Sequence, residues 1–187
     1  PTVLAEYKCR SATVNPYVFI EELFKHLGSD DVVITGNGSA CVIGFQAANL
    51  KQGQRLYTNS GCASMGYEIP ASIGASIAIG NKKIICLAGD GSIMMNLQEL
   101  QTIVGYKLPI KIIIFNNDGY LMIKHTQNAL FNGRKAAVDK NTGVTCPDFS
   151  EVAKAFGLPS FKIKTWEDFD KVIPEVQNFK GSLICEV

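Results

Sequence analysis

Histidine is scarce here, tryptophan scarcer, and no Cys-x-x-Cys pair occurs in the 187 residues. The two histidines, His26 and His125, are too few and too far apart for a zinc site built on paired imidazoles. Six cysteines (Cys9, Cys41, Cys62, Cys86, Cys146 and Cys185) are widely scattered. That spacing excludes a zinc ribbon or a redox pair. Cys41, Cys86 and Cys185 fall in or beside apolar stretches and read as small core residues, so a reducing cytoplasm is the expected setting. No apolar run is long enough to span a bilayer, and no membrane partner is expected. Lysines are dispersed, the formal charge is +1, and no basic run interleaves with aromatics. Nucleic acid is therefore not an expected partner. No signal peptide is visible, and the first residue is Pro1 rather than Met, which leads us to expect a trimmed chain.

What is present is a globular composition, 47% hydrophobic and 19% charged, long enough to bury a real core. Residues 1–14 lack periodicity and read as a lead-in segment or the tail of a linker. Residues 15–187 read as one domain. In NPYVFIEELFKHLGSD, Asn15 can cap a helix and Pro16 suits its first turn. Val18, Phe19, Leu23, Phe24 and Leu27 make the apolar stripe, and Gly28 can end it. DVVIT (31–35), KKIICLA (82–88) and PIKIIIFN (109–116) are apolar throughout, as parallel strands buried on both faces are. RLYTN (55–59), SFKIK and SLICEV are further strands. Helices are expected in GNGSACVIGFQAAN, in the small-residue stretch after SGCASMG, in NLQELQTIVGYK, after NNDGY, in PDFSEVAKAFG and in WEDFDKVIPEVQNF. Strand and helix alternate to the end. The fold class is therefore α/β, a doubly wound, mainly parallel sheet with helices on both faces.

In such a sheet ligands bind beyond the carboxyl ends of the strands. Three loops fall there: TGNGS, GDGS and NNDGY. In GDGS, glycines 89 and 91 let the backbone approach a ligand closely, and a helix N-terminus follows, which suits a phosphate. Asp90 between them is negative and would repel one. A divalent cation removes the conflict, because Mg²⁺ combines one or two carboxylates with phosphate oxygens and water. Asn117, 27 positions on, offers a neutral hard oxygen, and one helix plus one strand returns the chain to the same edge. Taken singly, each loop is ordinary turn chemistry. The case rests on their pairing at strand ends.

Gly-Asp-Gly at 89–91 followed by Asn-Asn at 116–117 resembles the thiamine diphosphate signature, and SGCASMGYEIPASIGAS resembles the segment before it in acetolactate-synthase-like enzymes. The likeness runs over roughly residues 15–187. It implies a diphosphate-side cofactor domain. By this resemblance Asp90, the Asn117 side chain and the Gly119 carbonyl ligate Mg²⁺. Gly91, Ser92, Tyr120, Ser39 and Ala40 hold diphosphate oxygens. Met65 wedges the cofactor into a V between its two rings, and the Ala63 carbonyl accepts from the aminopyrimidine. The implied reaction decarboxylates a 2-oxo acid such as pyruvate and transfers the acyl carbanion to an acceptor carbonyl.

Two departures bear on the implied activity. The family's catalytic glutamate sits on a separate pyrimidine-binding domain, and no glutamate here stands in a matching context. The chain is thus expected to be catalytically incomplete without such a domain, supplied by the same longer chain or by a partner subunit. It is also expected to form homo-oligomers through the face this leaves exposed. Second, Leu121, Met122, His125 and Thr126 stand where acetolactate synthases place an aromatic residue beside the acceptor pocket, which leaves the acceptor open. His125 reads equally as substrate-facing or as solvent-facing. Two alternatives remain: the small subunit of a heteromeric 2-oxo acid decarboxylase, and a non-catalytic nucleotide-binding module. Against the latter, Cys41 stands where a dinucleotide loop needs its third glycine.

Overall fold

The structure, a computed structural model, describes residues 13–187. Most of the lead-in expected over 1–14 lies outside the described residues. Among these, six strands form one all-parallel sheet: β1 (Val32–Thr35), β2 (Arg55–Thr58), β3 (Ile84–Gly89), β4 (Ile110–Phe115), β5 (Ser160–Lys162) and β6 (Leu183–Glu186). Their order is β2-β1-β3-β4-β6-β5. The helices are α1 (Pro16–His26), α2 (Gly38–Ala47), α3 (Glu68–Ala78), α4 (Asp90–Ile93), α5 (Leu100–Gly105), α6 (Leu121–Leu130), α7 (Phe149–Ala155) and α8 (Trp166–Asn178). The doubly wound α/β class read from the sequence is the one observed.

Burial on both faces explains the strand sequences. Ile85, Leu87 and Ile113 point into a core closed by α1, α2 and α8, while Ile84, Cys86, Ile112 and Ile114 point into a second core closed by α3, α5 and α7. Each such side chain contributes roughly 1.5–3 kcal/mol on leaving water. In the first core Phe19 meets Phe115 and Phe169 edge to face, with ring centroids 5.4 and 5.3 Å apart. Edge strand β2 alternates exposed and half-buried residues instead. Cys86 and Cys185 are buried and Cys41 is half-buried. Among the described residues no helix is long and apolar enough to cross a membrane.

Asn15 caps α1 as expected: its Oδ1 accepts from Tyr17 N at 2.9 Å and Val18 N at 3.4 Å. The helix ends at His26, however, on an extended Leu27, and Gly28 N–H instead donates to Asp31 Oδ2 at 2.8 Å. NLQELQTIVGYK is not one helix. A 3₁₀ stretch, Met94–Glu99, precedes α5, and Asn96 leaves helical geometry at φ −138°. The reason is tertiary: the Asn96 side chain donates to Gly66 O at 2.9 Å.

Order decides where the site falls. From β1 the chain moves outward to β2, then crosses back to β3 on the other side of β1. The reversal opens a crevice at the carboxyl ends of β1 and β3. All three glycine-containing loops end there or next door at β4.

Candidate cofactor site

Asn37, Gly38 and Ser39 after β1, Met65 before α3, residues 89–92 after β3, and Asn117, Gly119 and Tyr120 after β4 line one cleft. Leu121, Met122 and Ile123, at the start of α6, form its apolar side. Of the ten residues singled out from the sequence, eight share this cleft: Ser39, Met65, Asp90, Gly91, Ser92, Asn117, Gly119 and Tyr120. The other two are not among its lining residues. Ala40 is buried in the first turn of α2. Ala63 lies in the loop before α3, where Asn37 Nδ2 donates to its carbonyl at 3.0 Å. His125 is exposed in this chain and is not among the residues that line the cleft.

Asp90 is 1% exposed. Its Oδ2 accepts from Gly119 N–H at 2.8 Å and from Asn117 N–H at 3.3 Å. Burial pushes its carboxyl above the usual carboxylate range, and the Asp118 charge adds to this; the N–H groups of Gly119, Gly91 and Asn117 pull the other way. Among the described residues no ion pair involves Asp90. Asn117 Oδ1 is shielded from solvent and has no hydrogen-bond partner among the described residues. A buried carboxylate without a cation and a buried amide oxygen without a donor are both costly when left alone. A hard cation reaching both would satisfy them. The Gly119 carbonyl accepts only a 3.2 Å bond from Leu121 N–H, which leaves it a free lone pair. Among the described residues no three His, Cys, Asp or Glu side chains cluster into a metal cage. A Mg²⁺ held by one carboxylate, one amide and one carbonyl would need oxygens from its ligand, as a diphosphate provides.

The helix termini fit that anion. The three helices that begin at the cleft, α2, α4 and α6, lack any side-chain N-cap bond. α1, α7 and α8 are capped by Asn15, Asp148 and Thr165, while α3 and α5, whose first residues do not line the cleft, also lack such a bond. Free N–H groups are thus left where a phosphate would sit. Gly119 has φ +125°, and a Cβ there would stand 2.2 Å from Val138 O, so only glycine fits. Ala63 and Asp118 also adopt positive φ, 51° and 59°.

Three participants escaped the sequence reading. Asn37, inside TGNGS, reaches across to Ala63 O. Cys146 lies close to Asp90: burial pushes its thiol up to about 11, and the Asp90 and Asp118 charges add to this. Glu68 is wholly buried beneath the cleft, where Ser92 Oγ donates to its Oε2 at 3.1 Å. The available signal was the i, i+4, i+8 series Glu68, Ser72, Ser76, a polar stripe on a helix of small residues that turns out to face inward.

The family described as "Thiamine pyrophosphate enzyme, C-terminal TPP binding domain" matches residues 36–187. The acetolactate synthase large subunit of Cyanidium caldarium is 39% identical over 141 residues, 75% of this chain and 24% of that protein. That of Pyropia yezoensis is 33% identical over 180 residues, 95% of this chain and 30% of its own. Among solved structures, a thiamine diphosphate-dependent 4-hydroxybenzoylformate decarboxylase from Rhodococcus jostii RHA1 superposes with a TM-score of 0.83 at 23% identity. That superposition covers 100% of this chain and 34% of the decarboxylase, a likeness of fold. The chain thus spans about a quarter to a third of the length of these relatives.

Proposed function

From the premise that the chain belongs to the thiamine pyrophosphate enzymes, as their C-terminal TPP-binding domain, we propose that its cleft holds the diphosphate of thiamine diphosphate through one Mg²⁺. In this reading it is the cofactor-side domain of an enzyme that decarboxylates a 2-oxo acid such as pyruvate and transfers the acyl unit to an acceptor carbonyl. The observation that carries the proposal is the pairing of Asp90, buried without a cation, with the shielded and unpartnered Asn117 Oδ1 in one cleft.

Asp90 Oδ2 is held by two N–H groups, so the carboxylate is oriented in advance of any ligand. Asn117 Oδ1 and the Gly119 carbonyl complete the protein's share of the metal shell. The N–H groups of Ser39, Ala40 and Ser92, with Tyr120 and with the Gly91 N–H that also serves the Asp90 carboxyl, would receive the diphosphate oxygens. The Ser92 hydroxyl is already committed, donating to Glu68 and accepting from Gly66 N–H at 2.9 Å, so its contribution is through the backbone. Met65 would give the cofactor's rings an apolar support, and the Ala63 carbonyl, beside its bond from Asn37, keeps a lone pair that the aminopyrimidine could use. When bound, the cofactor supplies an electron sink for the pair released as carbon dioxide leaves. Leu121, Met122 and Ile123 keep water from that side.

A pyrimidine-binding domain, from the same longer chain or a partner subunit, supplies the acid–base glutamate that this chain lacks. Support comes from Phe45 on α2 and from Met122, Ile123, Leu130 and Phe131 on or just after α6, which are large apolar residues left exposed. Homo-oligomers and a cytoplasmic setting complete the reading, and the acceptor stays open because no aromatic residue stands among Leu121, Met122, His125 and Thr126.

Calorimetric titration of the full-length protein tests this. Thiamine diphosphate should bind only with Mg²⁺, and Asp90→Asn should weaken binding by about 100-fold or more while leaving the circular dichroism spectrum unchanged. Undiminished binding by that variant would refute the assignment.

A further inference from the structure

Burying a carboxylate without a cation costs several kcal/mol unless something is gained. Glu68 is such a group. It is the first residue of α3, its exposure is 0%, and none of the ion pairs among the described residues involves it. Its Oε1 has no hydrogen-bond partner. An apolar residue would fill the same space at lower cost. What the carboxyl adds is an acceptor for the proton of Ser92 Oγ, beside the nearby backbone N–H groups of Glu68 itself and of Gly66.

That bond fixes the polarity of a chain of contacts. A serine hydroxyl has one proton and can turn. With its proton held by Glu68 Oε2, the Ser92 lone pairs are left to accept from Gly66 N–H at 2.9 Å. The carboxyl accepts through Oε2 whether or not Oε1 carries a proton. Gly66 is gripped at its other end as well, since its carbonyl accepts from Asn96 Nδ2. Met65 in the cleft wall is the neighbour of this doubly held residue. Glu68 also supports the loop after β1: a Cβ on Gly36 would lie 2.1 Å from Oε2, so the Gly36 backbone rests on the carboxyl. The next residue, Asn37, ties that loop to Ala63. Three loops from three parts of the chain therefore meet over one side chain that never reaches the cleft.

We propose that Glu68 is a positioning residue of the cofactor cleft, orienting the Ser92 hydroxyl so that it clamps the Met65 loop onto the turn carrying Asp90. The purpose of the clamp rests on the thiamine diphosphate reading; the clamp itself does not. Hydrogen exchange on the full-length protein without cofactor reads it directly, in Glu68→Leu and Glu68→Gln. In Glu68→Leu the peptide covering 63–67 should exchange about tenfold faster, while the β4 amides of Ile112 and Ile113 keep wild-type protection. Calorimetry should find Mg²⁺-dependent thiamine diphosphate binding about tenfold weaker. Glu68→Gln keeps an acceptor oxygen and should preserve both. Wild-type exchange and affinity in Glu68→Leu would overturn the proposal, and so would a Gln variant as impaired as the Leu one. Should Glu68→Leu fail to fold, Ser92→Ala takes its place, with the same local rise around Gly66 expected and its absence decisive against the clamp. If the wild-type protein binds no thiamine diphosphate, the cofactor reading falls, and the exchange result still decides the role of Glu68.

Discussion

Gly119 N–H donates to Asp90 Oδ2 at 2.8 Å, across 29 positions of chain. The loop that contributes Asn117 is thus the loop that orients Asp90. A metal site whose carboxylate is aimed by its neighbouring ligand loop is organised before the metal arrives, which lowers the cost of binding. Burial has the opposite effect, since an ionised Asp90 without a cation is destabilising. On the proposed reading the cleft would trade fold stability for affinity, as functional sites commonly do.

Asn117 exposes that trade most directly. Its Oδ1 is buried with nothing to accept from, a situation that costs about 1–3 kcal/mol. Asn117→Ala removes the orphan oxygen. The metal-free variant should melt no lower than wild type, whereas the rise in melting temperature that Mg²⁺ and thiamine diphosphate give the wild type should vanish. Thermal scans with and without both ligands make the comparison. A variant that melts lower yet still gains from the ligands would mean that Asn117 is structural and not a ligand.

Gly91 is set by its neighbour across the cleft. A Cβ there would lie 2.4 Å from Tyr120 Cε1 and 2.6 Å from Cδ1, well inside contact distance. On helix propensity alone Gly91→Ala would gain about 1 kcal/mol. The collision should win and leave the variant about 1–3 kcal/mol less stable, with weaker cofactor binding as the ring shifts. Adding Tyr120→Ala clears the space, so the double variant should recover the stability that Gly91→Ala loses. A double-mutant cycle in urea measures this; strict additivity would mean that the two side chains do not compete.

The same distances explain what a sequence can disclose. Strands β3 and β4 were legible because burial on both faces demands an unbroken apolar run. The capping of α1 was legible because Asn15 and Pro16 act within their own turn. Asp90 and Asn117 could be paired because βαβ geometry returns both to one edge. What escaped depends on contacts distant in sequence. The break at Asn96 is imposed by Gly66 O, 30 residues earlier. Glu68 taken singly is ordinary, since a glutamate in the first turn of a helix is favoured on propensity grounds, and the stripe it makes with Ser72 and Ser76 reads equally as a solvent-facing polar face. Only the packing of α3 against β3, with Gly36 resting on the carboxyl, makes it an interior group.

The segment behind Gly119 should respond to acid. Val138 O accepts from Tyr120 N–H at 2.8 Å and closes off the space beside Gly119. The next residue, Asp139, is tied down by Lys124 Nζ at 3.1 Å and by Thr142 Oγ1 at 3.0 Å. The hydrogen bond from Lys124, then that from Thr142, holds the Asp139 carboxyl below its ordinary value. For an acid depressed in the folded state the unfolded chain binds the proton first. The tie is therefore at full strength above the ordinary carboxylate range and is lost as pH falls through the lower, folded value. Between pH 8 and 5 the backbone amides of 137–143 should keep constant protection. Below about pH 4 they should lose it ahead of the β4 amides. Asp139→Asn cannot lose a proton, so its protection in this segment should already be low at neutral pH and nearly flat on acidification. Hydrogen exchange at a series of pH values, corrected for intrinsic rates, distinguishes the two. If wild type and Asp139→Asn lose protection in parallel, the Lys124–Asp139 pair does not hold this wall of the cleft.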